Sequence, residues 1–256
     1  MKYVDSKLSI VGAGPGDPDL ITLKAIKALQ SADVVLYDAL ANEALLDYAP
    51  PTSIKIFVGK RAGMHHRQQR EINRMIVNYT NTCGHVVRLK GGDPYVFGRG
   101  HEELEYAQRH GIPTTYIPGI SSAIAVPGLM GIPLTKRGIN ESFWVVTGTL
   151  SDQRTARDLT HAAQSSATVV ILMGVSKLPE IVELFKKYRE VSEPVCMIQN
   201  GSKPDVRFIS GDLDSIVSVK NEAGLASPAI IVIGEVVREK AQAVSEMLEQ
   251  EAVLVK

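Results

Sequence analysis

Short apolar runs alternate with longer amphipathic segments along this chain, and the alternation predicts its secondary structure. Between the first runs, Ile72, Met75, Ile76 and Tyr79 follow the i, i+3, i+4, i+7 spacing of one helix face. A helix is also predicted to begin near Asp19, which could cap it. Strand–helix alternation of this kind is typical of an α/β fold with a largely parallel sheet. The predicted strands of this first series cover residues 8–11, 34–37, 54–58, 86–89 and 115–117.

A second series of the same type follows Gly138. The segment 131–140 contains glycine, proline and charge but little periodicity, so it is the predicted linker. We therefore expect two α/β lobes, formed by residues 1–136 and 137–256. The second series predicts strands at 143–146, 168–173, 195–198, 207–209 and 229–233, with helices near 154–164, 178–188 and 213–219.

Composition and charge disfavour several classes of function. Lys plus Arg equals Asp plus Glu, at 28 each, so no overall charge attracts nucleic acid or an anionic membrane. The apolar run 8–11 is too short for a signal-peptide core, and nowhere does an apolar stretch approach the length that spans a bilayer. Cys83 and Cys196 lack CxxC spacing and predict buried free thiols rather than a metal site. We expect a cytoplasmic protein that uses no metal and has no nucleic-acid or membrane partner.

Two glycine-rich turns directly follow predicted strands. The first, residues 12–18, departs from the dinucleotide-binding GxGxxG spacing, because Asp17 stands at its third glycine position and would repel a phosphate. A plain tight turn is the alternative interpretation there. In the second turn, Gly91 and Gly92 precede Asp93, which could accept hydrogen bonds from a hydroxyl or ammonium group. Both turns carry an acid and no lysine, which suits a neutral or cationic ligand better than a nucleoside triphosphate.

Basic residues recur in the loops predicted to follow strands. In a chain without net charge they could together face one anionic ligand, although a solvated surface explains any single one. Arg99 stands out, because glycines flank it on both sides. His101 and His110 are expected to be surface residues. The basic set comprises Lys60, Arg61, His65, His66, Arg67, Arg70, Arg99, Lys136 and Arg137.

Taken together and in this order, the motifs resemble the tetrapyrrole methylase family. No single motif is specific, but the ordered set is, and it extends over about residues 8–237. The matching stretches are VGAGPGDPDLITLKA from Val11, DVVLYD ending at Asp38, VGKRAG from Val58, RLKGGDPYVFGRG from Arg88, PGISSA from Pro118, GIPLT from Gly131, VTG from Val146, MG at Met173, QNG from Gln199 and SPAIIVIG from Ser227.

The resemblance implies a fold, a cofactor and a reaction. The fold would be two α/β lobes of non-Rossmann type, with S-adenosylmethionine in the cleft between them, usually in a homodimer. The family members most similar in motif methylate uroporphyrinogen III at C2 and C7, giving precorrin-2 by way of precorrin-1. That substrate carries eight carboxylates, which would give the basic residues a purpose. Carried over by position, the cofactor contacts would be Pro15, Gly91, Gly92, Asp93, Val96, Ser121, Ser122, Met173 and Gly201.

The resemblance also implies roles for residues outside the cofactor loops, and it leaves alternatives open. The family commonly has Arg where this chain has Ala39, so one substrate contact is absent or is supplied by another residue, for which Arg67 is a candidate. Methylation of a later precorrin, RNA ribose methylation, a non-catalytic cofactor sensor and an NAD-dependent dehydrogenase are the competing interpretations. Whether the product feeds siroheme, cobalamin or heme d1 stays open. The implied roles are proton acceptor for Asp38, proton donor for Lys60, and holding and activating the substrate for Arg99 and Glu102. Arg61 and Arg137, from the basic set, are predicted to bind the substrate.

Overall fold

A computed structural model describes residues 6–59, 69–149 and 156–240. The chain divides into two compact units, Met1–Ser122 and Ala123–Lys256. Each unit contains one five-stranded sheet. The composition of the sequence predicted the boundary between the two units later, after residue 136. Residues 123–136 belong with the second unit, because Ala123, Val126 and Ile132 pack in its apolar core.

The first unit is a parallel sheet with the strand order β3-β2-β4-β1-β5, and the prediction of five parallel strands is confirmed there. Apolar side chains alternate between its two faces. Ala25 and Leu29 of the first helix pack on one face, whereas Leu104 and Ala107 of the third pack on the other. The bounds are β1 Lys7–Gly12, α1 Leu23–Gln30, β2 Val34–Tyr37, β3 Ile54–Phe57, α2 Gln69–Cys83, β4 His85–Lys90, α3 Gly100–Arg109 and β5 Thr114–Ile117.

Strands β1 and β4 are neighbours, and the helices that follow them lie on opposite faces of the sheet. Their loops therefore leave the sheet in opposite directions. In open parallel sheets such a switch point opens a crevice at the carboxyl ends of the strands, where ligands bind. Both glycine-rich turns of the sequence begin at this point.

The second unit has the strand order β6-β7-β10-β8-β9, and its sheet is mixed. Strand β10 is antiparallel to both neighbours, and β8 is antiparallel to β9. The prediction of a largely parallel sheet is wrong for this unit. The β8–β9 connection is too short for the crossover helix that a parallel pair needs. The bounds are α4 Ser122–Leu129, β6 Phe143–Thr147, α5 Asp158–Gln164, β7 Thr168–Leu172, α6 Leu178–Phe185, β8 Pro194–Gln199, β9 Arg207–Asp212, α7 Ile216–Ala223 and β10 Ala229–Ile233.

The chain between β1 and α1 differs from the predicted helix start at Asp19. Asp17 caps a single 3₁₀ turn, and its side chain accepts a hydrogen bond of 2.9 Å from the backbone N–H of Asp19. The backbone is then extended at Thr22, whose hydroxyl oxygen accepts a bond from the N–H of Ala25 and caps α1. The helix thus begins several residues after the predicted cap.

Candidate functional site

The carboxyl ends of β1, β4 and β5 meet in a patch of bare backbone. A Cβ added to Gly12 would lie 2.4 Å from the backbone nitrogen of Gly119, and one added to Gly119 would lie 2.3 Å from the carbonyl oxygen of Gly92. Gly14 and Gly92 exchange two backbone hydrogen bonds, of 3.3 and 2.7 Å. Only glycine permits this close approach. The three loops therefore pack backbone to backbone at the switch point.

Asp93 ties the loops after β4 and β5 together. Its Oδ1 accepts a hydrogen bond of 2.7 Å from the backbone N–H of Tyr95. Its Oδ2 accepts bonds from the hydroxyl of Tyr116, at 2.7 Å, and from the N–H of Gly119, at 3.1 Å. Burial and the neighbouring Asp93 carboxylate raise the pKa of Tyr116. Both oxygens of Asp93 thus already accept bonds from this chain, and the carboxylate organises the loops.

Asp38 directly follows β2 and lies beside two cations of β4. Its Oδ1 is 2.6 Å from Nη2 of Arg88, and its Oδ2 is 3.5 Å from Nζ of Lys90. The Asp38 side chain is 26% exposed, so solvent reaches it, whereas both cations are buried. Burial raises the pKa of Asp38, but the attraction of Arg88 and Lys90 outweighs it and holds the pKa below its ordinary value. Asp38 is therefore an ionised carboxylate at the edge of a buried charge cluster.

Glu103, in the first turn of α3, completes this cluster. Its Oε1 accepts hydrogen bonds from Nε of Arg88 at 3.2 Å, Nζ of Lys90 at 3.2 Å and Nε2 of Gln69 at 2.9 Å. Two cations and two carboxylates thus share one site, and their charges balance. We call Asp38, Arg88, Lys90 and Glu103 the four-charge cluster.

Arg99 and Glu102 form a separate, exposed pair at the start of α3. Arg99 occupies the N-cap position with a left-handed backbone, at φ 59°. Its Nε and Nη2 donate to the two carboxylate oxygens of Glu102 at 3.0 and 2.7 Å. The two side chains are 55% and 53% exposed. The guanidinium is thus held in a fork geometry suited to carboxylates, within reach of solvent.

Comparison with known proteins supports one family over nearly the whole chain. Residues 7–217 match the family model described as tetrapyrrole (corrin/porphyrin) methylases. The chain belongs to the tetrapyrrole methylase family. It is 46% identical to a uroporphyrinogen-III C-methyltransferase of Methanocaldococcus jannaschii, over 90% of this chain and 96% of that protein. It is 43% identical to a protein of the same name from Priestia megaterium, over 90% of this chain and 98% of that one.

A solved structure extends the comparison to three dimensions. The uroporphyrin-III C-methyltransferase of Thermus thermophilus, complexed with S-adenyl homocysteine, is 39% identical to this tetrapyrrole methylase. The two structures align with a TM-score of 0.79, covering 91% of this chain and 99% of the other. The predicted fold class, an α/β protein of tetrapyrrole methylase type, is confirmed.

The predicted cofactor residues of this methylase fall into two groups. Most lie in the first unit, and Pro15, Gly92 and Asp93 surround the backbone patch or form part of it. Met173 and Gly201 lie in the second unit, directly after β7 and close after β8. Because both strands run antiparallel to β10, they end at the same edge of that sheet. The first-unit group comprises Pro15, Gly91, Gly92, Asp93, Val96, Ser121 and Ser122.

The two second-unit contacts have unusual local geometry. Met173 has a positive φ of 55° and is 52% exposed, which is uncommon for a large apolar side chain. A Cβ added to Gly201 would lie 2.3 Å from Cγ1 of Val126 in α4, so glycine is required there. Their roles in cofactor binding stay predictions.

The predicted basic residues are spread over the chain. Arg70 and Arg137 are exposed, and Ala39 is exposed beside Asp38. Lys60 and Arg61 lie outside the described residues, as does the segment that contains His65, His66 and Arg67. His101 and His110 are exposed, as predicted.

Sequence reasoning did not single out three of the four charges in the cluster, Arg88, Lys90 and Glu103. A signal for two of them was present. Arg88 lies in the predicted strand 86–89 and Lys90 directly follows it, so the two cations alternate with apolar residues up to the second glycine turn. Charged side chains two residues apart on one face of a central strand must be buried, and buried cations need partners. No comparable local signal marks Glu103, which directly follows the exposed Glu102.

Other chemical features of the described residues are few. They include no helix with the length and apolar character needed to cross a membrane. Within residues 6–59, 69–149 and 156–240, no three His, Cys, Asp or Glu side chains are grouped as metal ligands would be. Both cysteines are free; Cys196 is buried, whereas Cys83 is only partly buried, which corrects its prediction.

Proposed function

We propose that this tetrapyrrole methylase transfers methyl groups from S-adenosylmethionine to C2 and C7 of uroporphyrinogen III, forming precorrin-2 by way of precorrin-1. The observation that carries the proposal is the 46% identity, over almost the full length of both chains, to a relative named for methylation of uroporphyrinogen III. The T. thermophilus neighbour, solved with S-adenyl homocysteine, supports the choice of methyl donor.

The backbone patch suits the proposed methyl donor. Its glycines let the three loops pack backbone to backbone, and the turns 12–18 and 91–98 contain no lysine or arginine to repel a sulfonium cation. Pro15, Gly91, Gly92 and Val96 are its proposed contacts in these turns, and Asp93 is a contact that also holds the loops in place. When bound, S-adenosylmethionine supplies a methyl group already activated by the positive sulfur, so no metal is needed to activate it.

Further proposed cofactor contacts come from other loops. Ser121 and Ser122 follow β5 and lead into α4. Met173 and Gly201 lie at the edge of the second sheet where β7 and β8 end. Positioning of the reacting atoms and exclusion of water are the main work left to the protein in such a transfer.

Asp38 is the proposed proton acceptor. A pyrrole carbon that gains a methyl group must lose a proton to restore its conjugation. The lowered pKa of Asp38 keeps its carboxylate ionised at neutral pH, and its 26% exposure leaves it reachable. Lys60 is the proposed proton donor.

Arg99 and Glu102 are proposed to bind and activate the substrate. Because the pair is exposed, a substrate carboxylate can take the place of Glu102 on the guanidinium fork without opening a buried site. Arg61 and Arg137 are proposed as further contacts to the substrate carboxylates.

We also infer that the protein acts as a homodimer in the cytoplasm, without a nucleic-acid or membrane partner. The dimer rests on the family resemblance, and the location is the expectation from the composition of the sequence. Because the chain has no net charge, no overall attraction draws it to nucleic acid or to an anionic membrane. Light scattering of the purified protein should give the mass of two chains, and the mass of one chain would contradict the dimer.

Two acceptors separate the proposed reaction from methylation of a later precorrin. With S-adenosylmethionine labelled in its methyl group, uroporphyrinogen III should take up label and precorrin-2 should not. Uptake by precorrin-2 alone would replace the proposed function by the later reaction.

A further inference from the structure

Glu103 is completely buried, with 0% of its surface exposed, although it lies one residue after an exposed Glu102. A buried carboxylate is costly unless cations and hydrogen-bond donors surround it. All three recorded donors to Glu103 point to one atom, Oε1, and come from β4 and from the start of α2. Its Oε2 is buried with no hydrogen-bond partner among the described residues. The fold thus keeps a carboxyl group here although one of its oxygens has no partner among the described residues.

Arg88 connects Glu103 to Asp38 through a single rigid group. Its Nε donates to Glu103 and its Nη2 to Asp38, while Nη1 donates to the carbonyl oxygens of Leu36 and Leu89, each at 3.2 Å. Every nitrogen of the guanidinium is therefore engaged. A change at Glu103 must be transmitted to Asp38, because the planar guanidinium cannot move at one edge alone.

Lys90 makes a second connection between the same two carboxylates. Its Nζ lies 3.2 Å from Oε1 of Glu103 and 3.5 Å from Oδ2 of Asp38. Without the charge of Glu103, both buried cations would have Asp38 as their only carboxylate partner in the cluster. The pull of the two cations on Asp38 would then increase.

We propose that Glu103 is a positioning residue for proton transfer at Asp38: it shares Arg88 and Lys90, so that the Asp38 carboxylate keeps one orientation and is not bound fully by both cations. Glu103 itself does not touch the substrate. The inference rests on the proposed function, in which Asp38 accepts the proton.

The test is Glu103→Gln, which keeps the shape and removes the charge. The described charges that face Asp38 are Arg88 and Lys90 from β4, with Glu103 of α3 behind them. Removal of the negative charge should lower the pKa of Asp38, so the acid limb of the kcat–pH profile should move to lower pH. The weaker base should lower the plateau kcat about 10–100-fold, which is less than the roughly 10²–10⁴-fold that loss of a general base would cost. KM and the affinity for S-adenosylhomocysteine should change less than about twofold.

Glu105→Gln is the matched control. Glu105 is on the same helix, 44% exposed, and pairs only with side chains of that helix in the described part of the chain, Arg109 and His101. Its variant should keep the wild-type kcat and pH profile. A Glu103→Gln enzyme that matches this control would overturn the inference. So would parallel losses of kcat and cofactor affinity with an unmoved acid limb, since a merely structural role predicts that result.

A charge-balanced variant covers the case in which Glu103→Gln does not fold. Glu103→Gln combined with Lys90→Gln removes one charge of each sign, so the acid limb should return close to that of the wild type. If the acid limb of the kcat–pH profile of the double variant still lies at lower pH than that of the wild type, the inference is contradicted.

A measurement without turnover separates this inference from the proposed function. Carboxyl ¹³C NMR can follow the titration of Asp38, with Asp38→Asn identifying the signal. Glu103→Gln should shift the Asp38 midpoint to lower pH, and an unchanged midpoint would overturn the inference even if the wild type methylates uroporphyrinogen III. A wild-type enzyme that transfers no methyl group would instead refute the proposed function, whatever the midpoint of Asp38.

Discussion

Tyr116→Phe removes a single hydroxyl and should lower both the stability of the first unit and the affinity of its loops for the cofactor. That hydroxyl donates to Oδ2 of Asp93 at 2.7 Å, and the ring stacks on Tyr95 with centroids 3.9 Å apart. Phe keeps the stacking. A hydrogen bond to a charged acceptor contributes about 1.5–3 kcal/mol, and we expect the lower end because solvent reaches part of Tyr116. If the loops must be ordered again on binding, the affinity for S-adenosylhomocysteine falls by up to about tenfold.

Denaturant unfolding and calorimetric titration with S-adenosylhomocysteine measure the two effects. Tyr106→Phe is the matched control, because Tyr106 is also partly buried and its ring contacts only His110 among the described aromatic groups. It should change neither quantity. If Tyr116→Phe unfolds and binds like the wild type, Asp93 does not hold the loops through this hydroxyl. Lost stability with full affinity would show that the β4 and β5 loops do not form the cofactor site.

Three further substitutions test other parts of the site and fold. Arg99→Ala should lower kcat/KM about 10–150-fold by removing a substrate-carboxylate contact, with cofactor affinity unchanged by calorimetry; equal losses of both would indicate that the loop had collapsed. Asp38→Asn should lower single-turnover rates about 10²–10⁴-fold, and wild-type rates would remove Asp38 from the mechanism. In the folded protein the pKa of Asp38 lies below 3.8, the ordinary value of an Asp side chain. The wild type should therefore be more stable than Asp38→Asn above that pH, and the difference in unfolding free energy should vanish as the pH falls through the pKa of the folded state. A difference that persisted in stronger acid would contradict the ion pairs. Arg189→Met should lower the free energy of unfolding by about 3 kcal/mol, because it leaves Glu193 and three carbonyl oxygens without their buried donor; a loss below about 1 kcal/mol would count against this.

The positions of most strands could be predicted from the sequence, because each buried strand is a short apolar run. Strand direction could not. The run at 229–233 looks like the parallel strands of the first unit, yet it pairs antiparallel with both neighbours. Apolar periodicity reports which residues are buried and carries no information about which way a strand enters the sheet. The start of α1 was missed for a related reason, since Asp19 and Thr22 are both residue types that cap helices, and the backbone between them decides which one begins the helix.

The candidate site was predictable where its parts are local in sequence. The glycine turns and Arg99 stand out because several unusual residues are adjacent. The four-charge cluster could not be assembled in this way, since Asp38 follows β2 and Glu103 belongs to α3, far apart in the chain, and they meet only through two side chains of β4. Long-range pairing of charges is a property of the folded sheet.

The mass of the reaction product tests the central claim most directly. Uroporphyrinogen III incubated with the enzyme and excess S-adenosylmethionine, without oxygen, should give a product that is heavier by two methyl groups. Mass spectrometry should also detect a transient species with one added methyl group, as expected for precorrin-1. Recovery of unmodified uroporphyrinogen III from an enzyme that binds S-adenosylhomocysteine would contradict the proposed function.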